Sequence, residues 1–252
     1  MKMLTKKLSV GAISVALFGC GGGNESDPKL TSNETPATGN SGSVLSGVVL
    51  DGYLYKANVC LDKNNNAVCD SGDGTTVQTD KSGQYTLPFE GNVENYKLLV
   101  EAIANVTVDM DNPNQAVTHG FTMETPSSQP SIISPMTSMV ASLATSSGAT
   151  FDEAAESLAS ELSVSADVLK SDYAADTSQE SREIHMLARG ITRVLQSAQE
   201  SSVNDGVSQE VARKGSIQRL ANLDAAQLKL RTDQLSHGAS NTEEALAQIG
   251  SD

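Results

Sequence analysis

The spacing of apolar residues changes at Pro130, and this change constrains the fold more than any other feature of the chain. Before Pro130, apolar residues alternate with polar ones in short runs separated by turn residues, as at Asp51-Gly52. After Pro130 they recur every three or four residues, which is the period of a helix with one buried face. The sequence therefore predicts an α+β fold, with the strands first and the helices second.

The first of these regions, residues 44–125, predicts an antiparallel β-sandwich. Residues 96–103 form the clearest strand, and the turn Asp80-Lys81-Ser82-Gly83 separates two others. About seven short strands with turns between them are typical of a two-sheet sandwich. The predicted strands cover residues 44–50, 53–61, 75–79, 84–87, 96–103, 106–110 and 117–122.

Three segments of this region resemble known β-modules. They are Ser46-Gly47-Val48-Val49-Leu50-Asp51-Gly52, Ala57-Asn58-Val59-Cys60-Leu61-Asp62 and Thr79-Asp80-Lys81-Ser82-Gly83-Gln84-Tyr85-Thr86-Leu87. These segments resemble the G-x-V-x-D start, the A-x-V strand and the T-D-x-x-G-x-Y hairpin of carboxypeptidase-regulatory-like and Cna-B-like β-sandwich modules. The resemblance implies a structural role for the region, as a spacer, stalk or accessory domain without catalysis.

Residues 131–202 are predicted to be helical, and the apolar stripes of these helices need a partner. We expect them to pack as a small helical bundle or against the sandwich. Three N-cap signatures begin the predicted helices: Ser134-Pro135, Thr150 with Glu153, and Thr177 with Glu180. The strongest apolar stripe follows the third signature and contains Ile184, Leu187, Ala188, Ile191, Val194, Leu195 and Ala198. Residues 203–252 have a weaker period and predict a weakly structured helical tail.

A second resemblance lies at the start of the helical region. Residues 133–140, Ile-Ser-Pro-Met-Thr-Ser-Met-Val, are similar to the segment that follows such β-modules in many proteobacterial surface lipoproteins. That segment implies no activity of its own.

The N-terminus predicts export and a lipid anchor. Three lysines precede an apolar run at residues 10–18, which has the length of a signal peptide and is too short to span a membrane. Leu17-Phe18-Gly19-Cys20 resembles the lipobox of bacterial lipoproteins, which implies a signal peptide at residues 1–19 and lipidation of Cys20. The residue after the cysteine is Gly21 and not aspartate, which is similar to family members that are sorted to the outer membrane. The alternative is an ordinary secretory signal with a chance cysteine.

Residues 20–43 are rich in Gly, Ser, Asn, Thr and Pro, and they contain too few apolar residues to form a core. This composition predicts a flexible tether between the lipid anchor and the folded region.

The two remaining cysteines, Cys60 and Cys69, are expected to form a disulfide. The chain has three cysteines, and lipidation would use Cys20. Disulfides persist in the oxidising compartments to which exported proteins are sent. The alternative is a free, reactive pair, but the spacing is not C-x-x-C and no thioredoxin-like context surrounds it.

Residues 62–73 predict a structural Ca²⁺ site. The oxygen-bearing side chains occupy the ligand positions of an EF-hand-type loop, and Val68 is placed to offer its backbone carbonyl. Ala67 stands where such a loop needs glycine, and the last position lacks the usual glutamate. The alternative is a turn rich in Asn and Asp that caps its own backbone, and the sequence leaves both open. The predicted ligands are Asp62, Asn64, Asn66, Val68, Asp70 and Asp73.

Charge and composition exclude some classes of partner. The chain has 17 Lys and Arg against 31 Asp and Glu, and its net charge is −14. Removal of the three lysines in the predicted signal peptide makes the net charge about −17. Such a surface repels nucleic acid, so no nucleic-acid partner is expected. Aromatic residues make up only 4% of the chain, which disfavours a platform for stacking sugars.

No catalytic motif stands out in the sequence. It contains no H-E-x-x-H, G-x-S-x-G or P-loop motif, and its three histidines are far apart. We therefore expect a non-catalytic outer-membrane or cell-surface lipoprotein that serves as a structural, adhesion or accessory module. Its expected partners are the membrane, through the lipid, and an envelope or matrix protein. The alternatives are a binding module for carbohydrate or peptide, and a hydrolase that a buried cluster of His119 with carboxylates would support.

Overall fold

The computed structural model describes residues 43–238. The predicted signal peptide, Cys20, the tether before Ser43 and residues 239–252 lie outside this range. Within it, short β-sheets that are mostly antiparallel are followed by six α-helices. The α+β prediction, with strands before helices, is confirmed.

Nine strands in the described range form three sheets. The largest has the order β4-β3-β6-β8 and is antiparallel throughout. The second has the order β5-β1-β9, in which β1 and β9 are parallel, and the third pairs β2 with β7. The strands are β1 (Ser43–Val49), β2 (Leu54–Tyr55), β3 (Asn58–Asp62), β4 (Val77–Gln78), β5 (Gln84–Phe89), β6 (Lys97–Ala102), β7 (Val108–Asp109), β8 (Phe121–Pro126) and β9 (Ile132–Ile133).

The strand predicted at residues 53–61 is divided in two by Lys56. This residue has φ 61°, a left-handed conformation that a continuous strand cannot contain. Its backbone N–H donates to the carbonyl of Thr79 at 3.1 Å. The division allows β2 to pair with β7 while β3 joins the largest sheet. Alternation of apolar residues alone gave no sign of this break.

The helices begin at residues whose side chains satisfy free backbone N–H groups. The capping predictions at Ser134 and Thr150 are confirmed. The third cap is Ser178 and not Thr177, because the Ser178 side chain accepts from Ser181 N. The helices are α1 (Pro135–Ser147), α2 (Phe151–Leu162), α3 (Ala166–Leu169), α4 (Gln179–Asn204), α5 (Gln209–Arg219) and α6 (Ala225–Gly238).

Strands and helices share one hydrophobic core. Val49 of β1 and Val100 of β6 belong to the same buried cluster as Leu158 of α2 and Leu187 of α4. Each fully buried aliphatic side chain contributes roughly 1.5–3 kcal/mol relative to an exposed one. Helices α1, α4 and α5 all contact strand β8. The core thus holds α4 in a fixed position against the strands, which places the polar face of that helix beside the turn after β1.

Helices α5 and α6 lie in the region for which the sequence predicted a weakly structured tail. They are regular helices as far as Gly238, and α5 is followed by one 3-10 turn. The buried apolar residues of these two helices and the 3-10 turn, among them Ile217, Leu220 and Ala225, are few and irregularly spaced. Such residues give little periodic signal even where each of them is well packed.

Candidate functional site

The cysteine pair forms the predicted disulfide. Cys60 lies on β3 and is fully buried, and its sulfur is 2.08 Å from that of Cys69. Cys60 packs with Ala67, Leu99 and Ile217 in a small second core, which the partly buried Cys69 joins. The bridge closes the loop of residues 62–73 onto the sheet at one end and places it against helix α5.

Two carboxylates of this loop accept backbone hydrogen bonds from within the loop. Asp62 accepts from the N–H groups of Asn66 and Ala67, both at 3.0 Å. Asp73 accepts from Lys63 N at 2.9 Å and from Asp70 N at 3.0 Å. Both carboxylates are almost fully buried, and each is satisfied by donors that the turn itself supplies.

The third carboxylate, Asp70, is the point on which the loop amides converge. Its oxygens accept from Asn66 Nδ2 at 2.7 Å, from Asn64 Nδ2 at 3.3 Å and from Gly72 N at 2.6 Å. The amide of Asn66, followed by the N–H of Gly72, holds the pKa of Asp70 below its usual value. Side chains at three of the predicted ligand positions thus meet at one place, where amide N–H groups supply the positive partner of the carboxylate.

The backbone of the loop makes a sharp turn without glycine. Ala67 has φ 57° and Asn65 has φ 54°, so two residues with side chains adopt the left-handed region. Ala67 occupies the position where an EF-hand loop requires glycine, and it makes the turn there. Among residues 43–238, no group of three or more His, Cys, Asp or Glu side chains is arranged to hold a metal ion. The hydrogen bonds of the loop are those of an Asx-rich turn.

The loop is tied to α5 by a buried charge. Glu101 on β6 accepts from Cys69 N at 3.1 Å and also forms an ion pair with Arg213 of α5. Only 8% of the Glu101 side chain and 17% of the Arg213 side chain is exposed. Removal of either partner would leave the other charge buried, so the pair links the disulfide loop and the helix tightly.

A second polar site, which the sequence analysis did not single out, lies beside the turn that follows β1. Asp51 in this turn faces Asp109 at the end of β7 and helix α4. Helix α4 contributes a polar face that adjoins its apolar stripe. The residues of this face are spaced by four, three and four positions, so they lie on one side of the helix. They are His185, Arg189, Thr192 and Gln196.

Gly52 makes this arrangement possible. A Cβ atom at Gly52 would lie 2.3 Å from Oδ1 of Asp109 and 2.7 Å from Oδ1 of Asp111. No side chain fits in that space unless both carboxylates move. The Asp51-Gly52 turn therefore serves a second purpose besides reversing the chain, which is to let three carboxylates approach each other.

Burial dominates the electrostatics of this site. It raises the pKa of Asp51 to about 7, with a further rise from the charge of Asp109 and an opposing effect from Arg189. Burial also raises the pKa of Asp109. Oδ1 of Asp51 is buried and accepts no hydrogen bond of normal length within the described residues. A buried carboxylate oxygen without a partner is costly, and groups with strongly shifted pKa values cluster at functional sites.

The outer part of the site is an ion pair. Nε2 of His185 lies 3.0 Å from Oδ2 of Asp111. Burial lowers the pKa of His185, but the Asp111 carboxylate outweighs burial and raises it above the usual value. The same contact lowers the pKa of Asp111. The pair therefore stays charged over a wider pH range than either group alone.

A cavity of about 140 Å³ opens beside Asp51. Asp51 and Asp109 contribute carboxylates to its wall, and Arg189 and Arg193 contribute guanidinium groups. Nearby, His119 pairs with Glu200 at 3.1 Å, but 46% of the His119 side chain is exposed. This exposed pair is not the buried cluster of His119 with carboxylates that a hydrolase interpretation needed.

One sequence signal for the cavity existed. The polar residues of α4 repeat with the same period as the apolar stripe that predicted the helix, so they mark a second ordered face. Their partners are Asp51 in the turn after β1 and Asp109 at the end of β7, both far away in the chain, and only the fold brings them together. Within residues 43–238, no helix combines the length and apolar composition that crossing a membrane requires. Comparisons of the chain with protein-family models, with curated proteins and with solved structures found no match.

Proposed function

We propose that the protein is an exported bacterial lipoprotein, cleaved before Cys20 and held to the outer membrane by lipid on that residue. It acts as a non-catalytic structural, adhesion or accessory module at the envelope or cell surface. The observation that carries the proposal is the Cys60–Cys69 disulfide. Disulfides persist in oxidising compartments outside the cytosol, which is where a chain with such an N-terminus would be sent.

The same proposal includes a finer architecture, in which the sheets form a β-sandwich and the helices form a small bundle. The shared core supports it, because the sheets bury apolar residues together with α1, α2 and α4. Such a module would present the disulfide-closed loop and the surface of α5 to an envelope or matrix protein.

Bound Ca²⁺ is a further part of this proposal. Asp62, Asn64, Asn66, Val68, Asp70 and Asp73 would hold it. The convergence of Asn64 and Asn66 on Asp70 supports the site, because a cation there would replace the two amide donors. Rotation of both amides would then turn their oxygens toward the ion.

A binding module for a small ligand is the second candidate function. The cavity beside Asp51 favours it, since preformed pockets with a few charged groups are typical of ligand sites. Both functions are compatible with a lipid-anchored protein.

Fractionation of cells tests the membrane anchor. The full-length chain, expressed with labelled palmitate, is expected to carry label and to sediment with outer membranes. Cys20→Ala is expected to lose both properties, and Cys60→Ala with Cys69→Ala serves as the matched control that keeps them. A Cys20→Ala protein that still carries label at the membrane would contradict the proposal.

Thermal melting with and without a chelator tests the calcium site. The midpoint is expected to fall when chelator is added and to recover with Ca²⁺. Asp62→Ala should abolish this dependence. Asp80→Ala, which removes a similar Asx turn from a hairpin outside the loop, should retain it. Equal melts with and without chelator would leave the loop as a turn held by its own hydrogen bonds and the disulfide.

A further inference from the structure

One carboxylate oxygen of Asp51, Oδ1, is buried and makes no hydrogen bond of normal length among residues 43–238. Burial raises the pKa of this carboxyl and outweighs the Thr192 hydroxyl, which is close enough to lower it. Asp51 also forms part of the wall of the 140 Å³ cavity. The loss of solvation at a buried acceptor costs about 1–3 kcal/mol, and more when the acceptor is charged. A ligand that donates a hydrogen bond to this oxygen would recover that loss.

The charges of the cavity wall indicate what kind of donor fits. Asp109 reinforces the negative charge at Asp51, and both groups have raised pKa values because burial leaves them poorly solvated. An ammonium group placed between them would offset that cost, since charge-assisted hydrogen bonds are about twice as strong as neutral ones. A bare metal ion fits less well, because no three His, Cys, Asp or Glu side chains among residues 43–238 are arranged to hold one, and the cavity offers no run of adjacent amide side chains like that of the loop.

The opposite charge is also present in the wall. Arg189 of the polar face of α4 and the adjacent Arg193 line the same cavity as Asp51. Both already have partners within the protein, and Nε of Arg189 lies 3.8 Å from Oδ2 of Asp111. A ligand would therefore share guanidinium groups, each of which carries five N–H donors. Guanidinium groups recognise carboxylates through their planar fork of N–H donors. Thr192 and Gln196 lie on the same helical face and add neutral polar groups. A ligand with only one charge would meet like charge on one side of the cavity.

The size of the cavity limits the ligand. Its volume of about 140 Å³ is close to that of cavities that hold a molecule the size of benzene, about 150 Å³. The loop after β7 lines one side of the cavity with Asn112, Gln115 and Thr118. These residues are exposed to solvent, so the cavity has an open side. A ligand of about six non-hydrogen atoms can therefore enter and be partly enclosed.

We propose that this cavity binds a small zwitterion of the amino-acid class, with its ammonium group on Asp51 and Asp109 and its carboxylate on the arginine side. The site is distinct from the disulfide loop, and it requires neither the lipid anchor nor calcium. Gly52 is part of it, since the absence of a side chain there lets the carboxylates of Asp109 and Asp111 come close to the turn.

Calorimetric titration of the full-length chain, purified in detergent and kept in chelator, tests the proposal. The probes are glycine, L-alanine and β-alanine, with ethylammonium and propionate as ligands that carry only one of the two charges. We expect saturable binding of at least one zwitterion at one site per chain, and at least tenfold weaker binding of each single-charge probe.

Two variants locate the site. Asp51→Asn keeps the shape of the side chain and is expected to weaken binding about tenfold or more, which corresponds to roughly 1.4 kcal/mol. Ala116→Leu fills the cavity from its wall without changing a charge, and it should block binding even if Asp51→Asn perturbs the fold. Asp152→Asn, the same change on an exposed carboxylate of α2, should leave the affinity unchanged.

Three results would overturn the proposal. The first is the absence of binding by all three zwitterions to the folded wild-type chain. The second is binding that neither Asp51→Asn nor Ala116→Leu weakens, which would place the ligand elsewhere. The third is ethylammonium or propionate binding as tightly as the best zwitterion, which would show that only one charge is recognised.

Discussion

The disulfide loop and the cavity beside Asp51 each bring several carboxylates together, but the two sites differ in how those carboxylates are stabilised. In the loop, Asp62, Asp70 and Asp73 each accept hydrogen bonds from N–H groups a few residues away. In the cavity, Asp51 and Asp109 are desolvated and their pKa values rise. Carboxylates paired by their own turn stabilise the local fold. Carboxylates that come from distant segments and are buried together have raised pKa values, so they favour binding of a proton or a cation.

The largest expected effect concerns the loop. Replacement of Cys60 and Cys69 together by alanine should lower the free energy of unfolding by about 3 kcal/mol, since the bridge restricts the unfolded chain. Urea unfolding of both proteins measures this. Addition of a reducing agent should reproduce the loss in the wild type and have no effect on the double variant. Equal stability of the two proteins would mean that hydrogen bonds alone hold the loop.

The next effect concerns the cavity and depends on pH. Asp51 binds its proton more tightly in the folded state, so the folded protein holds more protons than the unfolded one between the unfolded pKa, near 3.8, and about 7. Stability is therefore lost as the pH rises through this window. The groups facing Asp51 are Asp109, Arg189, His185 and Thr192. Raised pKa values at Asp109 and His185 act in the same direction as that of Asp51.

Asp51→Asn removes this titrating group. The difference between the variant and the wild type therefore measures how much Asp51 contributes to the pH dependence of stability. Between pH 5 and pH 8 the variant should lose about 2–3 kcal/mol less stability than the wild type, given about 1.4 kcal/mol per pKa unit. Urea unfolding at the two pH values provides the comparison. Asp152→Asn, on an exposed carboxylate, should follow the wild type. Identical pH profiles for Asp51→Asn and the wild type would show that Asp51 is ionised normally.

The smallest effect tests the close approach at Gly52. Gly52→Ala should destabilise the protein by about 1 kcal/mol, because its Cβ would displace the carboxylates of Asp109 and Asp111. Gly215→Ala is the matched control, since Gly215 lies inside α5 with open space around it. That change should stabilise the protein by roughly 0.5–1 kcal/mol. If both substitutions changed the free energy of unfolding in the same direction, Gly52 would not have the steric role assigned to it.

Sequence patterns predicted the parts of the fold that depend on neighbouring residues. The N-caps at Ser134 and Thr150 and the disulfide each follow from short segments of sequence. The break at Lys56 was missed because its left-handed backbone satisfies a hydrogen bond to Thr79, a partner more than twenty residues away. The cavity was missed for the same physical reason. No pattern of neighbouring residues in the sequence indicates that Asp51 will lie opposite a particular face of α4.

The contact between the disulfide loop and α5 has a consequence for the order in which the chain assembles. Cys60 and Cys69 leave the ribosome long before Ile217 and Arg213, the residues of α5 that pack against them and pair with Glu101. The disulfide is part of the surface that receives α5. In a chain kept reduced, α5 would pack against a surface that lacks the disulfide. We expect proteases to cleave the last helices of such a chain first.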